Sequence, residues 1–278
     1  MSFVKTSEEV KDIEALIWQQ VIIGERLSVE ATSTKAFLDS IIPPGLTLAG
    51  EPKVTFSVGR GQGWGGGEYA SATMGVMVRR GERVGGFVLR RWCTHAFPNQ
   101  FGRELLGEVK RPADIEYFRD QEFVTGWVAR LGSQLLKIES TVGDDLGPVD
   151  ETVSSFEIKA FPAAMAPGFE YPPLLLSQTF LRRNHMVRKG EAELTLGGNT
   201  SDPLDEIPII SVGEATLKST EITIVTESKE ELCENPSDYW PYFLGRNYDD
   251  VRTFPTALRR RKLDSERLTQ VPTMVGRV

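Results

Sequence analysis

The chain opens with apolar residues at helical spacing and then changes period. Thr6-Ser7-Glu8-Glu9 has the form of a capping box, and Val10, Ile13, Leu16, Ile17 and Val21 follow it on one helical face. This pattern predicts an amphipathic helix over residues 8–22. A second, shorter helix is expected from Thr34 to Ile41, capped by Thr32 or Ser33 and ended by Pro43-Pro44. From residue 45 to about 226 the runs become short and β-rich. Lys53–Val58, Gly75–Val78, Gly86–Trp92, Phe123–Val128, Leu135–Ser140, Ser155–Phe161 and Glu221–Val225 are separated by Gly, Pro and Asp clusters. No repeated helix of crossover length lies between them, as parallel strands would need. The expected class is α+β: a mostly antiparallel β-barrel or strongly curved sheet with a few short helices. Residues 1–232 read as one domain and 233–278 as a C-terminal extension, aromatic and then basic. Pro236, Tyr239, Trp240, Pro241, Tyr242, Phe243 and Tyr248 form its aromatic part, which should dock on this chain's core or on a neighbouring subunit.

Composition narrows the function classes. The 278 residues are 40% hydrophobic and 26% charged, an ordinary globular balance, and the formal net charge is -7. No global positive field exists to attract nucleic acid or an anionic membrane, so neither is expected as a partner. No apolar stretch reaches about 18 residues, and the first twenty lack a basic end followed by an apolar block. A cytoplasmic location is expected. Cys93 and Cys233 lie far apart and read as reduced thiols; His95 and His185 are isolated, which leaves metal chemistry without support. The sequon Asn199-Thr200-Ser201 is expected to be unused, and the run Arg259-Arg260-Arg261-Lys262 to be solvated. Residues 59–67, GRGQGWGGG, lack the lysine and hydroxyl of a phosphate loop and read as a flexible inter-strand loop.

The segment Phe101-Gly102-Arg103-Glu104-Leu105-Leu106-Gly107-Glu108-Val109-Lys110-Arg111-Pro112 is, on its residues alone, a charged stretch ending in two cations. It resembles the nucleophile segment of the acetoacetate decarboxylases. That family carries Gly-Arg-Glu and, five residues after the glutamate, Pro-Lys-Lys, whose first lysine attacks the substrate ketone. Gly102-Arg103-Glu104 keeps the first part, and Lys110 falls on the nucleophile without a gap. Val109 stands for the proline and Arg111 for the second lysine. Further resemblances follow in order: Ala36–Pro44 with Leu46, Gly126–Ser140, Phe156-Glu157-Ile158-Lys159, and Asp202-Pro203-Leu204-Asp205-Glu206-Ile207-Pro208. They span roughly residues 25–230.

The resemblance implies an acetoacetate decarboxylase-like barrel in which Lys110 forms a Schiff base, supported by Arg111 and Glu104. An amine attacks a ketone only when neutral, so this lysine needs a depressed pKa from burial or from a neighbouring cation. Acetoacetate decarboxylase is itself a known example of that activation. Because adjacent strand residues face opposite ways, desolvation should outweigh direct contact with Arg111. The resemblance also marks departures. Of the family's two glutamate positions, one falls on Ser71 counting back from Lys110 without a gap and the other on Ser57 with a one-residue adjustment; Glu68 lies nearby but three residues out of register. Its substrate-binding arginine falls near Gly24, with Arg26 the nearest replacement. The expected function is a Schiff-base lyase, decarboxylase-like, on a keto acid other than acetoacetate, in specialised metabolism. One alternative is an aldolase-dehydratase or cyclase using the same lysine, with Ser57, Ser71, Tyr69 or Glu68 assisting proton transfer. Another is a non-catalytic barrel that binds a small molecule. No metal or organic cofactor is expected, because the imine is its own electron sink. Members of the family assemble, so a homo-oligomer is expected, with the aromatic tail a candidate intersubunit arm.

Overall fold

The computed structural model describes residues 3–18, 21–63 and 67–255. Helix α1 (Ser7–Trp18) leads into β1 (Val21–Thr32), then α2 (Lys35–Ile41) and the two-residue β2 (Thr47–Leu48). Three long strands follow: β3 (Lys53–Gly63), β4 (Glu68–Arg80) and β5 (Arg83–Cys93). Helix α3 (Ala96–Phe101) runs into a π-helical turn, Gly102–Leu106, and then β6 (Lys110–Pro112). The next strands are β7 (Asp114–Asp120), β8 (Phe123–Arg130), β9 (Ser133–Val142), β10 (Val149–Lys159) and β11 (Leu174–Leu196). Two short strands, β12 (Gly198–Asn199) and β13 (Asp202–Pro203), precede β14 (Ser211–Glu231) and α4 (Trp240–Asn247). Among the described residues no helix is long and apolar enough to cross a membrane.

Seven strands close into a barrel in the order β10-β5-β4-β3-β1-β14-β11, with β11 pairing back onto β10. All of these junctions are antiparallel except β10–β5. β11 has 23 residues and outruns the barrel, so its far half continues into a second sheet, β11-β9-β8-β7. That sheet lies against the outside of β1, β3 and β4. A Cβ on Gly126 of β8 would stand 2.9 Å from Val58 Cγ2, so glycine is required where the two layers touch. Leu27, Val29, Phe56, Val58 and Ala72 face this layer with Val124, Val128, Leu136 and Ile138, forming the apolar core. The core therefore sits between barrel wall and second sheet, and the interior faces of β1, β3, β4 and β5 carry polar residues such as Arg26, Ser57, Ser71 and Arg91.

Several local expectations are corrected. The capping box closes as read: Thr6 N–H donates to Glu9 Oε2 at 2.8 Å and Glu9 N–H to Thr6 Oγ1 at 3.2 Å. However, α1 stops at Trp18, and Val21 begins a strand instead of ending the helix. Alternating Leu27, Val29 and Ala31 bury one face there, and burial in the barrel wall prevails over the helical spacing that reaches Val21. Thr34, not Thr32 or Ser33, caps α2, its hydroxyl accepting from Phe37 N–H at 3.3 Å. Residues 59–63 are not loop but the end of β3, because Gly59, Gly61 and Gly63 let β1 approach closely. A Cβ on Gly24 would stand 2.9 Å from Gly61 Cα.

The aromatic segment docks on this chain's own barrel. Tyr239 and Phe243 are buried, and Phe169 stacks on Tyr239 at 5.8 Å. Arg111 ties the segment down. Its guanidinium donates to Ser201 O and Asp202 Oδ1, both at 2.9 Å, to Gly245 O at 2.9 Å and to Tyr248 O at 2.7 Å. Arg130 donates to the other Asp202 oxygen at 2.8 Å and to Asp249 Oδ2 at 2.7 Å. The basic run 259–262 lies outside the described residues. Removing one partner of so buried a network leaves charge and carbonyls uncompensated. Arg111→Met is therefore expected to lower the free energy of unfolding in urea by roughly 3–5 kcal/mol. A loss below about 0.5 kcal/mol, the usual scale for a surface substitution, would contradict this role.

Candidate active site

Residues paired directly across neighbouring strands share a face. One row of the barrel interior runs Arg26, Gly59, Ser71, Cys93. The next runs Ser28, Ser57, Thr73, Arg91, Lys110, the last step being the parallel pairing of β5 with β6. The topology thus gathers polar side chains from five strands around one amine.

Lys110 is buried, and its Nζ lies 2.6 Å from Glu108 Oε2. Arg91 pairs with the other oxygen of Glu108 and reaches Glu157 Oε1 at 3.3 Å, so it bridges two buried carboxylates. Burial, and then the positive charge of Arg91, lower the Lys110 pKa from its ordinary value to about 7. Cys93 and Glu157 act in the opposite direction, and Arg26 in the same. Burial also pushes the Glu157 carboxyl up, against the pull of Arg91, Arg246 and Lys110.

The backbone before Lys110 is shaped for this. A Cβ on Gly102 would lie 2.7 Å from Lys110 Nζ, so only glycine leaves room for the amine and its carboxylate partner. Gly107 caps the π turn at φ 72°, and a Cβ there would stand 2.5 Å from Lys159 Cα. Arg103 donates to Lys110 O at 3.2 Å and to Asn247 O at 3.4 Å, tying β6 to α4. π turns of this kind recur at functional sites.

The residues expected from sequence divide into two groups. Arg26 donates to Ser57 Oγ at 2.9 Å and to Ser71 Oγ at 2.6 Å. One guanidinium thereby gathers both serines singled out from sequence. Burial, and next Arg91, lower its pKa to about 10. Burial raises the Tyr69 hydroxyl, with Cys93 adding to the rise and Arg26 and Arg91 opposing it, which sets this side chain in the same cluster. Three others do not join Lys110. Arg111 points to the outer face, as strand alternation requires, and holds the C-terminal segment. Glu104 is exposed on the π turn, and Glu68 is exposed at the start of β4, 3.9 Å from Arg60. Glu108, Arg91 and Glu157 were missed. Glu108 sits inside the motif, whereas Arg91 and Glu157 are brought in only by the topology. A glutamate between the buried Phe156 and Ile158 was the available signal.

Comparison with known proteins bears on the family and the fold. The family model for acetoacetate decarboxylase matches residues 15–229. No curated protein matches by sequence. The fold is similar to the crystal structure of acetoacetate decarboxylase from Legionella pneumophila, with 19% identity and a TM-score of 0.67 over 76% of this chain and 87% of that one. It is also similar to the enduracididine biosynthesis enzyme MppR, complexed with the condensation product of pyruvate and imidazole 4-carboxaldehyde. There the identity is 16% and the TM-score 0.63, over 79% of this chain and 89% of that one. An acetoacetate decarboxylase-like enzyme from Sphingomonas wittichii aligns at 19% identity and a TM-score of 0.58, over 77% and 96% of the two chains.

The surroundings of Lys110 set a titration. The amine should be protonated below about pH 7 and neutral above it, where an ordinary lysine stays charged to about pH 10. Lysine-labelled nitrogen NMR should therefore show one resonance titrating near neutrality and missing from Lys110→Met. Arg91→Met removes a repelling cation and frees Glu108 to hold the ammonium, so the midpoint should rise. An inflection that stays near 10 in the unaltered protein would count against an activated amine.

Proposed function

The chain belongs to the acetoacetate decarboxylase family of barrel enzymes, and from that premise we propose that it is a Schiff-base-forming lyase acting on a keto acid, with Lys110 as nucleophile. The observation that carries the reading is the buried Lys110 amine, its pKa lowered to about 7, with a carboxylate 2.6 Å away. The neutral amine adds to the substrate ketone, forming a C–N bond as the carbonyl oxygen takes a proton. Loss of that oxygen as water leaves a protonated imine. Glu108 stands where it can take the proton that the amine sheds and return it to the departing hydroxyl.

The iminium then draws the electron pair of the bond between the adjacent carbon and the carboxylate. That bond breaks, carbon dioxide leaves, and an enamine remains. Protonation of its carbon and hydrolysis of the imine release the ketone and regenerate Lys110. In this reading Arg26, with Ser57 and Ser71 on either side, binds a substrate carboxylate, as a planar guanidinium fork is suited to do. Arg111 and Glu104 act on the site only through the position of β6 and the turn before it.

One observation favours a second reading, aldol addition with dehydration or cyclisation. The serines Ser57 and Ser71 hydrogen-bond to Arg26 where the decarboxylases carry glutamates, so no carboxylate from these positions repels the carboxylate that must leave. The structural likeness to MppR, which was captured with a condensation product of pyruvate, points the same way. Both readings share the imine and diverge after it.

Incubation with a panel of keto acids and sodium borohydride should add the reduced substrate's mass to the peptide carrying Lys110. Lys110→Ala should take up none. Trapping should strengthen as pH rises through about 7, because only the neutral amine adds. Carbon dioxide release from a trapped substrate assigns the lyase reading, and an aldehyde-dependent product assigns the other. Equal labelling of the Lys110→Ala variant would sink both.

A further inference from the structure

A second site lies outside the barrel wall, on the face away from Lys110. Helix α2, strands β4 and β5, the turn after β13 and helix α4 enclose a cleft of about 420 Å3, a size ordinary for small-molecule pockets. Phe37, Ile41, Met74, Leu204 and Tyr242 make its walls apolar. Arg90 and Arg246 bring the only cations to its lining among the described residues.

The two arginines differ in how well they are served. Arg246 donates to Tyr239 Oη at 2.7 Å and to Val88 O at 2.8 Å, and its guanidinium lies 4.3 Å from the Phe87 ring centre. Arg90 has only a long bond to its neighbour Leu89 O, 3.3 Å, and its Nε stands 3.6 Å from Asp202 Oδ1. That carboxylate is already shared, since Arg111 and Arg130 hold it at 2.9 and 2.8 Å. The local cluster therefore sets the charges of Arg90, Arg111 and Arg130 against Asp202 and Asp249, and of these two carboxylates Arg90 reaches only the shared Asp202. Burial and then the repulsion of Arg111 lower the Arg90 pKa to about 9, as expected of a cation short of counter-charge.

We propose that this cleft binds an amphipathic carboxylate, a straight-chain fatty acid of medium length, with its carboxylate on Arg90 and its alkyl chain along Phe37, Met74 and Tyr242. An apolar lining with one under-served guanidinium complements that ligand's alkyl chain and its charge. The site is independent of the chemistry proposed for Lys110. Arg90 and Arg91 are neighbours on β5 and so face opposite sides of the barrel wall.

Octanoate titrated into the full chain at pH 7, followed by calorimetry, tests the assignment. One equivalent should bind, while octan-1-ol, which keeps the chain without the charge, should bind at least about tenfold more weakly. Acetate, which keeps the charge without the chain, should do the same. Arg90→Gln should lose at least about tenfold in affinity. Gly245→Trp offers a block that does not disturb the core: Gly245 lines the cleft, is exposed, and has nothing within 4 Å of an added Cβ. That variant should melt like the unaltered protein and fail to bind octanoate. Lys110→Ala should bind octanoate normally. No binding of octanoate at about 10 mM would overturn the proposal. Unchanged affinity in a folded Gly245→Trp would do so as well, as would loss of binding in Lys110→Ala, which would put the carboxylate inside the barrel.

Discussion

Strand alternation at β6 sends two neighbouring cations in opposite directions, and both end where water is scarce. Lys110 enters the barrel and Arg111 leaves it. The two burials are compensated very differently. Arg111 finds three carbonyls and a carboxylate, and a guanidinium stays charged under almost any condition. Lys110 has one close carboxylate, and the cation that pairs with that carboxylate works against it. The first burial is complete and structural; the second is left unbalanced, and that imbalance is what lowers the pKa of the amine.

That division extends to the whole architecture. A barrel of about this size has an interior just wide enough for side chains to fill or for one small ligand. Here the apolar faces of β1, β3 and β4 point outward and are covered by the second sheet, while α4 and the aromatic segment cover β5. The covering layers therefore do more than shield the barrel. They take over the burial that stabilises the fold, which leaves the interior free to hold arginines, glutamates and serines. Arg103 and Arg111 join the two regions, since both anchor α4 to the strand that carries Lys110.

How much of this was legible depends on the kind of signal. Lys110 stood out only through the resemblance of its segment to the acetoacetate decarboxylases, and the barrel through short β-rich runs between turn residues. β1 was hidden because Val21 continued a helical stripe from Val10, although Leu27, Val29 and Ala31 alternate plainly. β11 was hidden because its 23 residues cross from barrel to second sheet with polar residues at many positions. The serines at 57 and 71 were legible as departures, yet their shared hydrogen bonds to Arg26 needed the register of three strands. Arg91 carries no local mark and Glu157 only that of a charge between two apolar residues, and their meeting depends on β5 and β10 becoming parallel neighbours.

The seam between β1 and β14 bears on how the chain can be made. It joins Val21–Thr32 to Ser211–Thr223, and one of its side-chain bonds, Ser28 to Thr216 O, spans 188 positions. During synthesis the first strand must wait unpaired on that edge until almost all the described chain has left the ribosome. Closure so late and so non-local is slow, and it keeps an adhesive strand edge open for most of the protein's birth. Glu25, Arg26 and Glu30 space charges along that strand, and charged side chains are one of the devices by which proteins blunt an open edge.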